Sequence, residues 1–206
     1  MVHIPRTINE KRRLVKESSI LENARLVFCR KGYLNVTMQD IISECNISRG
    51  GIYLYFNSVD DVFQAVVSNH SKSKRSAIRK SIEDDEPFAL VLNVFLASQK
   101  ERLLHMENSL LRAMYEYTFS RAEGATVKFR NKQLDNLRNS VLSILMLGIK
   151  QRAIINEDIA ILADHVIVMI EGLGVMALVD VLTEEIIDEQ FSVLEVMIDK
   201  IKTNGR

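Results

Sequence analysis

The stretch Thr37–Phe56, TMQDIISECNISRGGIYLYF, constrains this chain more than any other part of it. It reads as two short helices joined by a tight turn. Thr37 is a favourable N-cap, and Asp40 three positions on completes a capping-box-like pair. Apolar residues at Met38, Ile41, Ile42 and Cys45 give the first helix one inward face. Asn46 ends that helix, because asparagine tolerates the left-handed backbone that a helix exit needs. Ile47 plugs the core from the turn, and Ser48 caps a second helix running from about Arg49 to Tyr55. Ile52 and Phe56 face inward, which leaves Arg49, Gly50, Gly51, Tyr53 and Tyr55 for something outside. The spacing predicts a helix-turn-helix.

On these residues Leu21–Phe63 resembles the DNA-binding domain of the tetracycline-repressor (TetR) family of bacterial transcriptional regulators. The resemblance is carried by Phe28, Lys31-Gly32-Tyr33, Thr37, Ile41, Asn46-Ile47-Ser48 and Tyr53-Leu54-Tyr55-Phe56. Two positions depart from the family pattern. Asn46 replaces the turn glycine, and Val59 replaces the lysine that usually opens the fourth helix, so one expected phosphate contact is absent. The resemblance covers roughly a quarter of the chain tightly and the remainder through its all-helical layout. It implies a homodimer that binds a palindromic double-stranded DNA site and represses until a small-molecule effector releases it. A co-regulator of the same fold, acting through protein partners without binding DNA, is the alternative; Val59 and the bare Gly51 are its support.

The rest of the chain reads as all-α, with about nine helices. Two prolines and eight glycines in 206 residues leave long uninterrupted segments. A first helix is expected from Lys11 or Leu14 to Lys31, stopped by Gly32. After the motif, Ser58 and Asp61 open a connecting helix from Val59 to about Arg79 whose second half carries Lys72, Lys74, Arg75, Arg79 and Lys80. The acidic break Glu83–Pro87 marks the boundary. Residues 1–80 are expected to form the DNA-binding domain with its connecting helix, and 81–206 an effector-binding and dimerisation domain. Further helices are expected over Phe88–Leu104, Glu107–Arg121, Ala125–Gln151, Glu157–Val181 and Glu184–Thr203, the last two capped by Asn156 and Thr183.

Charge supports a footprint at one end. The net charge of zero divides into 14 basic against 7 acidic residues over 1–82, with the opposite imbalance over the remainder. Such an asymmetry fits nucleic-acid binding confined to the N-terminal part. Cys29 and Cys45 look core-facing, and a reducing cytoplasm is the expected compartment. The apolar stretch Ile159–Leu182 is interrupted by Asp164, His165, Glu171 and Asp180, which argues against a membrane span.

Phosphate contacts position a DNA-binding protein and base-edge contacts specify its site. Arg49 is the expected guanine reader through its bidentate fork. Gly50 and Gly51 let the backbone approach the groove, Tyr53 and Tyr55 offer hydroxyls to phosphates, and Gln39 is a further contact. Thr37 and Ser48 sit where helix N-termini favour anions. Arg6, Lys11, Arg12 and Arg13 form an N-terminal arm that either tracks the backbone or remains solvated.

No catalytic constellation accompanies these residues, and no enzyme activity, cofactor or metal is expected. Aromatics cluster between 88 and 151, where a pocket between helices would be mostly apolar with a few polar orienters. Phe95, Arg112, Met114, Tyr115 and Phe119 are the expected ligand residues, with Arg112 and Tyr115 orienting an acceptor or negative group. The Glu157–Val181 helix is apolar nearly all round and the last helix carries a cleaner apolar stripe, which predicts a four-helix dimer interface through Val166, Ile170, Leu173, Leu194 and Met197. Gly172 and Gly174 there are read as points of close helix approach.

Overall fold

The computed structural model describes residues 8–120, 124–155 and 158–201. Among them the chain forms nine α-helices, one short 3₁₀ turn at Met106–Asn108, and no strand. Helix α1 spans Ile8–Lys31, α2 Met38–Cys45, α3 Arg49–Tyr53 and α4 Val59–Glu83. They are followed by α5 (Phe88–Leu104), α6 (Leu110–Ser120), α7 (Ala125–Lys150), α8 (Ile159–Leu178) and α9 (Glu184–Lys200). The first helix begins earlier than its sequence pattern suggests, so Lys11, Arg12 and Arg13 lie on helix α1 and not on an arm. Arg6 and Asn156 lie outside the described residues. Asp158 occupies the position before α8 and makes no side-chain capping bond.

Side-chain capping sets the helix starts that matter most. Thr37 accepts from the Asp40 N–H, and the Asp40 carboxylate takes the Thr37 N–H in return, a complete capping box. Asn46 closes α2 in the left-handed region at φ 47°. Ser48 and Ser58 cap α3 and α4 through the N–H groups of Gly51 and Asp61. The Asp61 carboxylate reaches one residue further back, to the Asn57 N–H at 3.1 Å. Thr183 caps α9 in the same way.

The buried side chains fall into two clusters. One gathers α1–α4 around Phe28, Ile41, Ile52 and Phe63 and takes in Leu110, Ala113 and Tyr117 from α6. The other fills the space between α5, α7, α8 and α9 around Phe95, Ile144, Ile170 and Leu194, and takes Leu111 and Tyr115 from the same helix α6. Two faces of α6 therefore look into different cores. Helix α4 runs out of the first cluster and packs along α7, where Ser71 donates to Gln133 at 2.8 Å.

Helix α8 is, among the described helices, the one long and apolar enough to cross a membrane. Its inner stripe, Leu162, Ala163, Val166, Ile170 and Leu173, is buried against its neighbours. Gly174 brings it close to α6, because a Cβ there would overlap the Tyr115 hydroxyl. Gly172 differs: its Cβ position is open within the chain, so Gly172 makes no close approach here.

Candidate nucleic-acid interface and effector cavity

The helix-turn-helix is held by its own short-range chemistry. Ion pairs Lys31–Asp40 and Arg30–Glu44, both at 2.5 Å, tie the end of α1 to α2. Lys31 and the Thr37 groups together hold the Asp40 carboxyl at about 2. Cys29 and Cys45 pack against this core, and burial pushes both thiols up. Buried Ile41 and Ile52 fix the opposite side of the two helices. Thr37, Gln39, Ser48, Arg49, Gly50 and Tyr53 are all exposed as a result. Arg49 makes no ion pair among the described residues and is free to reach outward.

Two of the expected contact residues have a different setting. Gly51 is half-buried, and a Cβ there would stand 2.9 Å from Ile47 Cγ1. Its lack of a side chain is a packing requirement of α3 against the turn. Gly50 is the glycine with open space around it. Tyr55 is half-buried on the core, with the Arg13 guanidinium 6.0 Å from its ring centroid. Arg13 is thus held beside the motif from the first turns of α1.

A cavity of about 300 Å³ opens between α4, α5 and α7, with α6 and α8 contributing to its walls. That size is at the lower end of the ~300–1,000 Å³ typical of small-molecule sites. Phe95 and Met114 line it as expected. Tyr115 is buried beside it and donates to the Glu171 carboxylate at 3.2 Å, below the Arg130 guanidinium that ion-pairs with the same group. Arg112 is not in this cavity. It faces the opposite side of α6, pairs with Glu116 at 2.7 Å, and lines a second hollow beside Glu107 and Leu178. Phe119 is 61% exposed and stacks on Tyr115 from outside.

The polar lining of the main cavity comes instead from His70, Lys74 and Arg75 on α4, Gln99 and Arg102 on α5, and Arg130 and Gln133 on α7. His70, Lys74, Ile78 and Ser81 fall at helical spacing on one face of α4. The basic run on the connecting helix is the sequence signal for this wall.

The residues expected at a dimer interface are mostly spent inside the chain. Val166, Ile170, Leu173 and Leu194 are buried in the second core, and Met197 is half-buried against it. The outward faces of α8 and α9 carry a different set. On α8, Ile161, His165, Val168, Gly172, Val175 and Val179 form one exposed stripe, with Val168 70% exposed. On α9, Val193 and Val196 are likewise exposed. Exposed apolar residues recurring along one helix face make that face a candidate interaction surface. The sequence signalled an all-round apolar helix; which stripe stayed outside depended on how α8 rotated against α7.

Comparison with known proteins agrees with this geometry. Residues 20–66 match the family model for bacterial regulatory proteins of the tetR family. The chain is 32% identical over 102 residues to YfiR, an uncharacterised HTH-type transcriptional regulator of Bacillus subtilis, a match covering 50% of this chain. It spans about half the length of that relative, 49%. A TetR-family regulator from Pectobacterium atrosepticum superposes over 98% of this chain and 100% of its own with a TM-score of 0.68 at 18% identity. A TetR regulator from Haloarcula marismortui superposes over 92% of this chain and 100% of its own, with a TM-score of 0.71 at 17% identity. At those identities the two structures share the fold.

Proposed function

For a chain that belongs to the tetR family of helix-turn-helix transcriptional regulators, we propose that it is a homodimeric, cytoplasmic repressor released from a palindromic DNA site by a small-molecule effector. The observation that carries this reading is the exposed set Thr37, Gln39, Ser48, Arg49, Gly50 and Tyr53 on a rigidly capped motif. Arg49 reads a base edge, while Tyr53 and the residues at the helix starts contact phosphates. Tyr55 and Gly51 support the motif from beneath. The chain divides in use into a DNA-binding part, 1–80, and an effector-binding and dimerising part, 81–206.

The outward stripe Ile161–Val179 of α8, with Val193 and Val196 of α9, packs against its copy. Gly172, open within one chain, gives the two copies of α8 room to approach. Dimerisation places two recognition helices at one separation, and successive major grooves accept only a matching one. A ligand in the cavity that favours another separation lowers DNA affinity by its differential affinity for the two states. Both α4 and α6 carry that change, because each spans from the cavity to the first core.

Selecting bound sequences from a random duplex library tests this directly. A palindromic consensus is the expected result. No enrichment from a folded dimer would overturn the reading and favour a regulator that works through protein partners.

A further inference from the structure

The cavity lining is cationic in excess. Lys74, Arg75, Arg102 and Arg130 stand there against the carboxylates of Glu86 and Glu171. Arg130 is satisfied by Glu171. Glu86 sits in the turn between α4 and α5 and makes no ion pair with the other three cations among the described residues.

Those three cations have unmet capacity. The one hydrogen bond of Arg102 among the described residues goes to neutral Gln99 Oε1, at 2.5 Å. Arg75 Nη1 is buried without a hydrogen-bond partner. Burial, with the nearby Arg102 charge, brings Lys74 down to about 8. Burial also lowers Arg102, with Arg130 adding repulsion. His70 on the same wall is pushed down to about 4 by burial and then by Lys74 and Arg102, so it is neutral near pH 7.

Removing charge from water is costly unless a counter-charge or hydrogen bonds replace the solvent. Here three cationic side chains converge on a space whose remaining walls are apolar, including Ile78, Phe95 and Leu137. An anionic group would supply both the counter-charge and the acceptors, through charge-assisted hydrogen bonds.

We propose that the cavity takes a small amphipathic organic anion, with one carboxylate or phosphate held by Lys74, Arg75 and Arg102 and an apolar body against Ile78, Phe95 and Leu137. This rests on the reading of the cavity as the effector site. A neutral apolar ligand would leave the cations as they stand, and a cationic one would add to their repulsion.

The test is calorimetric titration of the full chain, without DNA, using octanoate, octyl phosphate, 1-octanol and octylammonium. The anions are expected to bind on the order of tenfold or more tightly than the alcohol or the ammonium, as loss of a charge-assisted hydrogen bond implies. Octanoate against octyl phosphate separates the two head groups. Lys74→Gln and Arg102→Gln should each weaken the anions by a similar factor and leave 1-octanol unchanged.

Thermal melts accompany the titrations. Both variants should melt at or above the wild-type temperature, because each removes a partly buried charge that has no ion-pair partner among the described residues. A marked fall in Tm for Arg102→Gln would make that residue a structural cation and overturn the proposal. So would equal binding of alcohol and anion, no binding of either anion, or anion binding unchanged in the variants. The effector reading is judged separately, by adding octanoate or octyl phosphate to a DNA complex. Anion-selective binding that leaves DNA bound would remove the effector role and keep the anion site.

Discussion

Glu116 Oε2 accepts a hydrogen bond from the backbone N–H of Tyr33 at 2.6 Å, across 83 positions of sequence. The same oxygen takes the Leu34 N–H at 3.2 Å, and the other carboxylate oxygen pairs with Arg112 at 2.7 Å. Gly32 makes the grip possible. It sits at φ +73°, and a Cβ there would overlap the Glu116 carboxylate. One residue either side, Tyr115 faces Glu171 at the main cavity and Tyr117 packs on Tyr33 and Phe63 of the first core. Helix α6 is therefore a short lever between the two cores.

Glu116→Ala should cost about 1–3 kcal/mol of stability, because the Tyr33 N–H is left without its acceptor in a half-buried setting. Gly32→Ala should cost a similar ~1–3 kcal/mol through left-handed strain and displacement of the carboxylate. The double variant should lose less than the two added, since both act on one contact. Urea denaturation of all three proteins measures the coupling, and strict additivity would separate the residues.

Arg49→Ala should weaken binding to the selected site by about 1–3 kcal/mol and relax specificity at one position of each half-site. Arg49 is exposed and α3 is capped through Ser48, so the fold and the oligomer should be unchanged. Fluorescence anisotropy on labelled duplexes reads the change. Undiminished affinity would take Arg49 out of the base-reading role.

The outward stripe gives a different contrast. Val168→Asp together with Val196→Asp should yield a folded monomer, seen in sedimentation velocity at unchanged helical circular dichroism. Gly172→Leu should weaken the dimer without harming the chain, because the position is open within one copy. Leu194→Asp should unfold the protein, since that side chain is fully buried in its own core. A monomeric wild type would rule out this stripe as the dimer face.

His70 and Asp40 both contribute to the acid limb of stability. The folded-state pKa of His70, about 4, lies below the ordinary 6.5. The unfolded chain therefore takes the proton first, and stability falls as pH drops from 6.5 towards 4. His70→Gln should flatten that interval. Asp40 is held at about 2, below its ordinary 3.8, by Lys31 and the capping Thr37. Its contribution is present above pH 3.8 and is lost as pH falls through 2; exposure to solvent keeps it small. Thermal melts between pH 8 and pH 3, compared across wild type and His70→Gln, check the first.

How much of this was legible in the sequence follows from the range of the forces involved. Caps and turns are local: Thr37 with Asp40, Asn46 and Ser48 each act within a few residues, and their pattern was readable. In the second part Thr183 caps α9 in the same local way, whereas α5, α7 and α8 begin without a side-chain cap. Facing was not readable. Val166 and Val168 lie two residues apart on α8, and only packing against α7 decides which is buried. Arg112 and Tyr115 both read as pocket orienters, yet Arg112 lies on the other side of α6, paired with Glu116, which also accepts from the Tyr33 N–H 83 positions away. The cationic wall was missed because its members come from three helices. Only Lys74 and Arg75 were visible as a cluster in one of them.

The most direct measurement is the affinity of the purified protein for its selected palindrome and for a scrambled duplex, each followed across a range of salt concentrations. The expected result is a steep fall of log K with log salt, about −0.9 per neutralised phosphate, and preference for the palindrome by about 10³-fold or more. Equal, weak and salt-insensitive binding to both duplexes would contradict a sequence-specific regulator built on Thr37–Phe56.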